Sequence, residues 1–405
     1  MNWTYGHSKS MLLITLIIGV VLYFGSCTND DQLIEAPMVN GRDLVSVKVT
    51  TPPVIDGTID EMWENSPELQ FETVVPDPGG DIFRGYIGNT IPSVILRSAY
   101  DDENIYFLAE WWDPTQSLKR EPWYFDLNSK RWKIESGAPL FATPPTTPPT
   151  TPRAAFYEDK IAMLWNIDNS VSGWDAGTCY KSCHANMGAN DGYGRHHTNN
   201  PGERIDMWHW KSVRGGLNTY QFDDQYQDNS FPNGRKSDSG AAGYTNNTQK
   251  LVITGSVPAI TVNVPKYFIP NRTDYNWIMG TEITDGTARL ITTVDSNGVL
   301  TYDGGIIDPT ADTDFRRDGA TVGAKAIPYI YMSPFDGSRG DITCKGIYTG
   351  TGWVLEYKRA LSTGDTESMD VDFSSLDDQS FGFAIFENAQ IAHSIKTNLV
   401  LKFNK

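Results

Sequence analysis

Ser93-Val94-Ile95-Leu96-Arg97-Ser98-Ala99 and Ile105-Tyr106-Phe107-Leu108-Ala109-Glu110-Trp111-Trp112, parted by the polar Asp101-Asp102-Glu103-Asn104, decide the fold class. Both runs are apolar with a period of two, and a short acidic turn between such runs is a hairpin signal. Working outward, residues 45–71 read as a short strand, a turn through Pro52-Pro53 and Ile55-Asp56-Gly57-Thr58-Ile59-Asp60, and one short helical piece at Trp63. On the other side, residues 137–153 are rich in Pro and Thr, a composition that cannot pair in a sheet and is expected to form an exposed loop. Residues 160–167 resume as a buried strand. Residues 168–250 are polar and rich in Gly, Asn and Asp, and are expected to be a mostly irregular loop region, long enough to be functional. Strands are then expected at 252–264, 288–294, 299–302, 352–359, 381–386 and 399–403, with no internal repeat. The sum is a mainly β chain, an antiparallel β-sandwich with long inserted loops and a few short helices, forming one domain over 45–405.

Composition agrees. The 405 residues include 12 Trp, 19 Tyr and 17 Phe with plentiful Gly and Pro, a mix that favours strands and turns. The net charge of -17 excludes nucleic acid as a partner, because phosphate binding needs a basic face. It suits an exported protein or a basic protein partner.

The first 27 residues read as an export signal. Lys9 precedes an apolar run over 11–24, and Gly25 and Ser26 lead into Cys27. The run is shorter than the roughly 20 residues a spanning helix needs. Phe24-Gly25-Ser26-Cys27 resembles the bacterial lipobox, which implies cleavage before Cys27 and a lipid on it. Residues 28–44 then form a tether, and the expected location is a bacterial membrane surface, periplasmic or external.

The chemistry concentrates in two stretches. Cys179-Tyr180-Lys181-Ser182-Cys183-His184 is the c-type haem attachment pattern with one extra residue between the cysteines. Two thiols add across haem vinyl groups while the adjacent imidazole reaches the iron. Two other readings stay open: a short-loop disulfide, or a structural zinc site completed by His196, His197 or His209. The second stretch, Arg204-Ile205-Asp206-Met207-Trp208-His209-Trp210-Lys211, offers Trp208 and Trp210 as walls for a flat macrocycle and Arg204 or Lys211 for its propionates. Packing of both Trp in the core is the competing reading. His196-His197 reads as a solvated pair, and Cys344 as a buried strand residue.

These stretches, with Phe383-Ala384-Ile385-Phe386-Glu387-Asn388, the opening Ile55-Asp56-Gly57 with Trp63, and Trp111-Trp112-Asp113-Pro114, together resemble the ethylbenzene dehydrogenase-related haem-binding family over about residues 45–403. The resemblance is to its γ-subunit-like haem domain. It implies a β-sandwich holding haem at one end of its sheets, with axial ligands from the loop before Trp208-His209-Trp210-Lys211 and from the last hairpin. His393-Ser394-Ile395 stands where such subunits place Lys-Ser-Val, which assigns one ligand to His393. His184 is the first choice for the other, and Met187, followed by Gly188, the second. The haem is then c-type if Cys179 and Cys183 are attached and b-type otherwise. The implied role is electron transfer without catalysis, with a molybdenum oxidoreductase or another cytochrome as partner. The rival is a lipid-anchored carbohydrate-binding module, since Ile55-Asp56-Gly57 with Trp63 also resembles the start of sugar-binding sandwiches. A nucleophile elbow, a phosphate loop and an HExxH pattern are all missing, so hydrolase, kinase and protease readings have no carrier.

Overall fold

The hairpin forms as its alternation dictates. β3 (Thr90–Tyr100) pairs antiparallel with β4 (Asn104–Trp112), with Val94 opposite Trp111. Asp101 Oδ1 accepts from the backbone N–H groups of Glu103 (2.8 Å) and Asn104 (2.7 Å), which fixes the turn. The structure, a computed structural model, describes residues 41–77, 83–137, 156–183, 196–240, 243–318, 321–322 and 324–405. Cys27 and nearly all of the Pro/Thr-rich stretch therefore lie outside the described residues.

One 12-stranded sheet carries the architecture. Its other strands are β1 (Asp43–Lys48), β2 (Leu69–Val74), β5 (Lys160–Asn166), β6 (Ile205–Lys211), β7 (Gln225–Gln227), β8 (Arg235–Ser237), β9 (Thr343–Tyr348), β10 (Gly352–Ala360), β11 (Gln379–Phe386) and β12 (Ser394–Asn404). The order is β8-β7-β6-β5-β11-β12-β1-β3-β4-β10-β9, with β2 sharing the place of β1 between β12 and β3. Most neighbours are antiparallel, but β1 runs parallel to both β12 and β3.

The sheet folds over on itself, so that β5 and β6 face β4 and β10. Ring contacts cross the gap: Trp208 to Phe107 at 5.7 Å, Trp210 to Trp111 at 5.8 Å and Trp210 to Trp353 at 5.2 Å. Such edge-to-face pairs add about 0.5–1.5 kcal/mol each beyond the apolar area they bury. The result is a mainly β sandwich around an aromatic core. The short helical piece expected at Trp63 is the 3-10 turn Glu61–Asn65. Among the described residues no helix is long and apolar enough to cross a membrane.

One expectation holds with an addition and another needs correction. The described residues of 168–250 are largely irregular, but among them β6 lies inside the sheet between β5 and β7 with all seven residues buried. It has no polar face to betray it. The stretch 252–264 is not one strand but a hairpin of Gln249–Val252 with Thr261–Val264, since Gly255 turns with φ of 77° and Pro258 has no N–H to give to a ladder. That hairpin belongs to a smaller second core, in which Trp123, Phe125 and Trp132 meet Ile253, Val294 and Leu300.

Candidate functional site

Alternation along three neighbouring strands sorts the side chains. β5 turns Ile161, Met163 and Trp165 into the aromatic core, and Lys160, Ala162 and Leu164 to the other side. β6 does the same with Trp208 and Trp210 against Met207 and His209, and β11 with Phe383 and Ile385 against Ala384 and Phe386. Register then aligns a row across four strands: His209 opposite Ala162, Ala162 opposite Ala384, Ala384 opposite Ile395. Two methyl groups at the centre of that row leave room above the sheet. A cavity of about 400 Å³ lies there.

The cysteine turn roofs one side of this cavity. Trp174 donates its Nε1–H to the Ser380 carbonyl (2.7 Å), and Thr178 Oγ1 accepts from the Asn398 backbone (3.1 Å). These bonds seat the turn on β11 and β12. Cys179 packs over Gly382, where any Cβ would overlap its sulfur, so glycine is required by close approach. Cys179 and Cys183 both line the cavity, and their sulfurs are free thiols. Burial pushes the Cys179 thiol up to about 12, with Cys183 adding to it. Burial raises Cys183 too, although Gln227 Nε2 donates to its sulfur at 2.8 Å.

His393 closes the opposite side, from the loop between β11 and β12. Its Nδ1 lies 2.7 Å from the Ile391 carbonyl, which can only accept, so Nδ1 carries a proton and donates it there. The ring packs against Phe386 at 4.5 Å and Phe83 at 5.6 Å. His209 stacks on the same Phe386 at 5.6 Å. It is buried, its Nε2 has no hydrogen-bond partner among the described residues, and burial followed by the charges of Lys211 and Lys160 holds it well below the usual imidazole range. His196 also lines the cavity, pulled down to about 4 by burial and by Arg235. Arg214 and Arg235 bring guanidinium groups to this space, and Lys160 lines it too, its ammonium held well below the usual lysine range by burial and then by Arg214.

Several site expectations change. Trp208 and Trp210 do not wall the cavity: they point across β6 into the aromatic core and are fully buried there. Arg204 is held by Asp228 at 3.3 Å and lies over Tyr226, Lys211 is ion-paired with the buried Asp223, and neither lines the cavity. His196 and His197 are not a solvated pair, since His197 is only 6 % exposed and His196 faces the cavity. His184 and Met187 lie outside the described residues. Cys344 is a buried strand residue, as read. Trp63 has no exposed face for a sugar, because its Nε1–H is spent on Glu356 (3.0 Å), which also accepts from Gly57 N–H (2.8 Å). Lys160, Arg214 and Arg235 are the cavity residues that linear motifs hide, while His209 and Phe386 sit inside quoted motifs that give them no place in a haem cavity. Period-two sorting of 205–211 would have put His209 opposite the two Trp.

No curated protein matches the chain. Among solved structures, a family 9 carbohydrate-binding module from Caldicellulosiruptor kristjanssonii in complex with cellotriose shares 11% identity over 89% of this chain and 93% of its own, at a TM-score of 0.27. The same module with glucose gives 11% identity, 89% and 95% coverage, and a TM-score of 0.25. At these values nothing about ligands carries over. A sequence profile described as ethylbenzene dehydrogenase matches residues 60–398, which takes in the sandwich strands from β2 into β12, and the chain belongs to that family.

Proposed function

We propose that the chain holds one haem in the cavity above Ala162 and Ala384 and works as an electron carrier. The observation that carries this reading is that Cys179, Cys183 and His393, two hundred residues apart in sequence, line one space. The lining suits a flat, largely apolar group with acidic substituents. Leu164, Met207, Phe386 and Ile395 give apolar surface, and Arg214 and Arg235 give charge for propionates. When bound, haem supplies a one-electron couple. His393 would hold the iron: its Nδ1–H is committed to the Ile391 carbonyl, and such a bond to the far nitrogen both orients an imidazole and raises its basicity. The second ligand comes from the segment with His184 and Met187, with His209 as the alternative within the cavity. An iron held by two side chains would have no position for a substrate, which favours electron transfer over catalysis. If Cys179 and Cys183 carry thioether bonds the haem is c-type; without them it is b-type.

In the same reading Cys27 carries a lipid that tethers the chain to a bacterial membrane, and the net charge of -17 favours docking on a basic face of a redox partner, a molybdenum oxidoreductase or another cytochrome. The test is a reduced absorption spectrum of the mature protein from a host competent in c-type cytochrome assembly, with a haem-stained denaturing gel. A Soret band retained on the gel supports covalent haem, and a band lost on the gel supports b-type binding. His393→Ala should abolish the sharp reduced α-band in either case. A wild-type protein without a Soret band sinks the proposal.

A further inference from the structure

On the core side of β6, away from the cavity, the carboxylates of Asp206, Asp224 and Asp370 each place one oxygen within 4.8 Å of the others. All three residues are buried, and they come from three places in the chain: β6, the turn before β7 and the loop leading to β11. The orientation of each carboxylate is set by its other oxygen. Asp206 Oδ2 accepts from Trp208 Nε1 (2.9 Å), Arg359 Nη1 (3.0 Å) and Val371 N–H (2.9 Å). Asp370 Oδ2 accepts from Thr363 Oγ1 (2.7 Å) and Ser338 Oγ (3.2 Å), and Asp224 Oδ1 from Gln225 N–H (2.9 Å). The remaining oxygens, Asp206 Oδ1, Asp224 Oδ2 and Asp370 Oδ1, have no hydrogen-bond partner among the described residues.

A separate side chain makes the point independently. Asp238, just past β8, is 3 % exposed, and neither of its carboxylate oxygens has a hydrogen-bond partner among the described residues. It sits close enough to Asp206, Asp370 and Asp341 for their charges to act on it. Asp341, partly exposed, has its Oδ1 unpartnered in the same way. Arg359 faces Asp206, Asp370, Asp341 and Asp224, and one positive charge does not balance four negative ones. Buried carboxylates without partners are costly, so something positive must complete them: a metal ion or shared protons.

We propose that Asp206, Asp224 and Asp370, with Asp238 and Asp341 around them, bind one divalent cation, calcium by preference. The donors are all oxygen, which selects a hard cation and disfavours zinc or copper. Calcium lies about 2.4 Å from its oxygens, so any two of its ligands stand no more than about 4.8 Å apart, a limit that these oxygens meet. Magnesium demands a smaller octahedron with several waters, for which a site this buried gives little room. Fixing one oxygen of each carboxylate to Trp, Arg, Thr or backbone donors, while leaving the other bare, is how outer groups orient metal ligands. The ion would tie β6 to the turns that precede β7, follow β8 and lead into β11. It would therefore brace the core face of the strand whose other face carries His209. The inference does not depend on the haem reading.

The experiment is metal analysis of the purified full mature chain, followed by chelation and thermal melting with added calcium, magnesium or zinc. The expected result is about one calcium per chain, a melting temperature that falls on chelation and returns with calcium, and a weaker response to magnesium. Asp224→Asn should abolish the calcium response, and Asp341→Asn, at the open edge, should weaken calcium binding by at least about tenfold. If Asp224→Asn does not fold, metal content and titration of the wild-type chain still decide the matter. A chelated protein that takes up neither calcium nor magnesium at millimolar concentration, with unchanged melting, would overturn the proposal in favour of shared protons. Zinc as the bound metal would overturn it too.

Discussion

Strand β6 has two faces that share a backbone and little else. On one, Trp208 and Trp210 interlock with Phe107, Trp111, Trp353 and Tyr357, each ring in contact with two or more others, so that nothing but side chain fills the space. On the other, Met207 and His209 look across two alanines into a cavity, and His209 keeps an uncommitted nitrogen. The first face is built from complementary shapes and holds the two layers together. The second is built from small side chains and unspent polar atoms, the form of a ligand site. One seven-residue string thus divides between stability and function, residue by residue.

The largest effect that tests this division is Trp208→Ala. A fully buried Trp in the aromatic core should cost about 3–5 kcal/mol on truncation, read by denaturant unfolding, while the haem absorbance per folded chain stays unchanged. A loss below about 1 kcal/mol, or an altered haem spectrum, would return Trp208 to the cavity. Next comes the acid limb of the cavity face. Both His209 and His196 are held below their ordinary value of 6.5, so just under that pH the unfolded chain binds protons that the folded chain refuses. Stability is therefore present above pH 6.5 and lost as the pH falls. For His196, whose folded value is about 4, the loss from pH 7 to 5 is about 2 kcal/mol at most. The double variant His196→Gln/His209→Gln should flatten that limb in haem-free protein; an unchanged slope would mean that these imidazoles do not titrate with folding. Smaller again for stability, but decisive for the ligand, is Ala162→Leu. It grows into open space, so the haem-free chain should change by less than about 1 kcal/mol, whereas haem content should collapse. Retained haem would move the ligand away from this floor.

Much of the sandwich was legible in the sequence because half-buried strands advertise themselves. The alternation of 93–112 survives as β3 and β4, and the runs at 160–167, 352–359 and 381–386 survive within about a residue or two as β5, β10 and β11. β6 did not advertise itself, since burial on both faces with Asp206, His209 and Lys211 inside removes the polar face that periodicity detects. The cysteines could be singled out because two thiols beside an imidazole are chemically conspicuous, and His393 only because the family resemblance pointed to it. Lys160, Arg214 and Arg235 could not, because one cation among 33 Lys and Arg carries no local mark, and only register brings it to a cavity. The aspartate cluster is assembled only by the fold: Asp206 and Asp224 come from β6 and the turn before β7, and Asp370 from a loop far along the chain.

Arg204 offers the finest cut, because the linear motif and the fold disagree about it most simply. As a propionate partner it would lose haem affinity on truncation, and its neighbour Lys211 would compensate poorly, being already paired with Asp223. As the structure has it, the guanidinium lies over Tyr226 and 3.3 Å from Asp228, about a third of its side chain exposed, and Asp228 has a second cation in Lys236. An exposed pair with a substitute at hand is worth little, on the order of 0.5 kcal/mol. Arg204→Ala should therefore shift unfolding by no more than that and leave haem content and spectrum untouched, whereas Arg214→Ala, which removes a cavity cation from the buried Glu158, should lower both. If Arg204→Ala were the variant that lost haem, the cavity floor would be in the wrong place and the motif, read as a string, would have been the better guide.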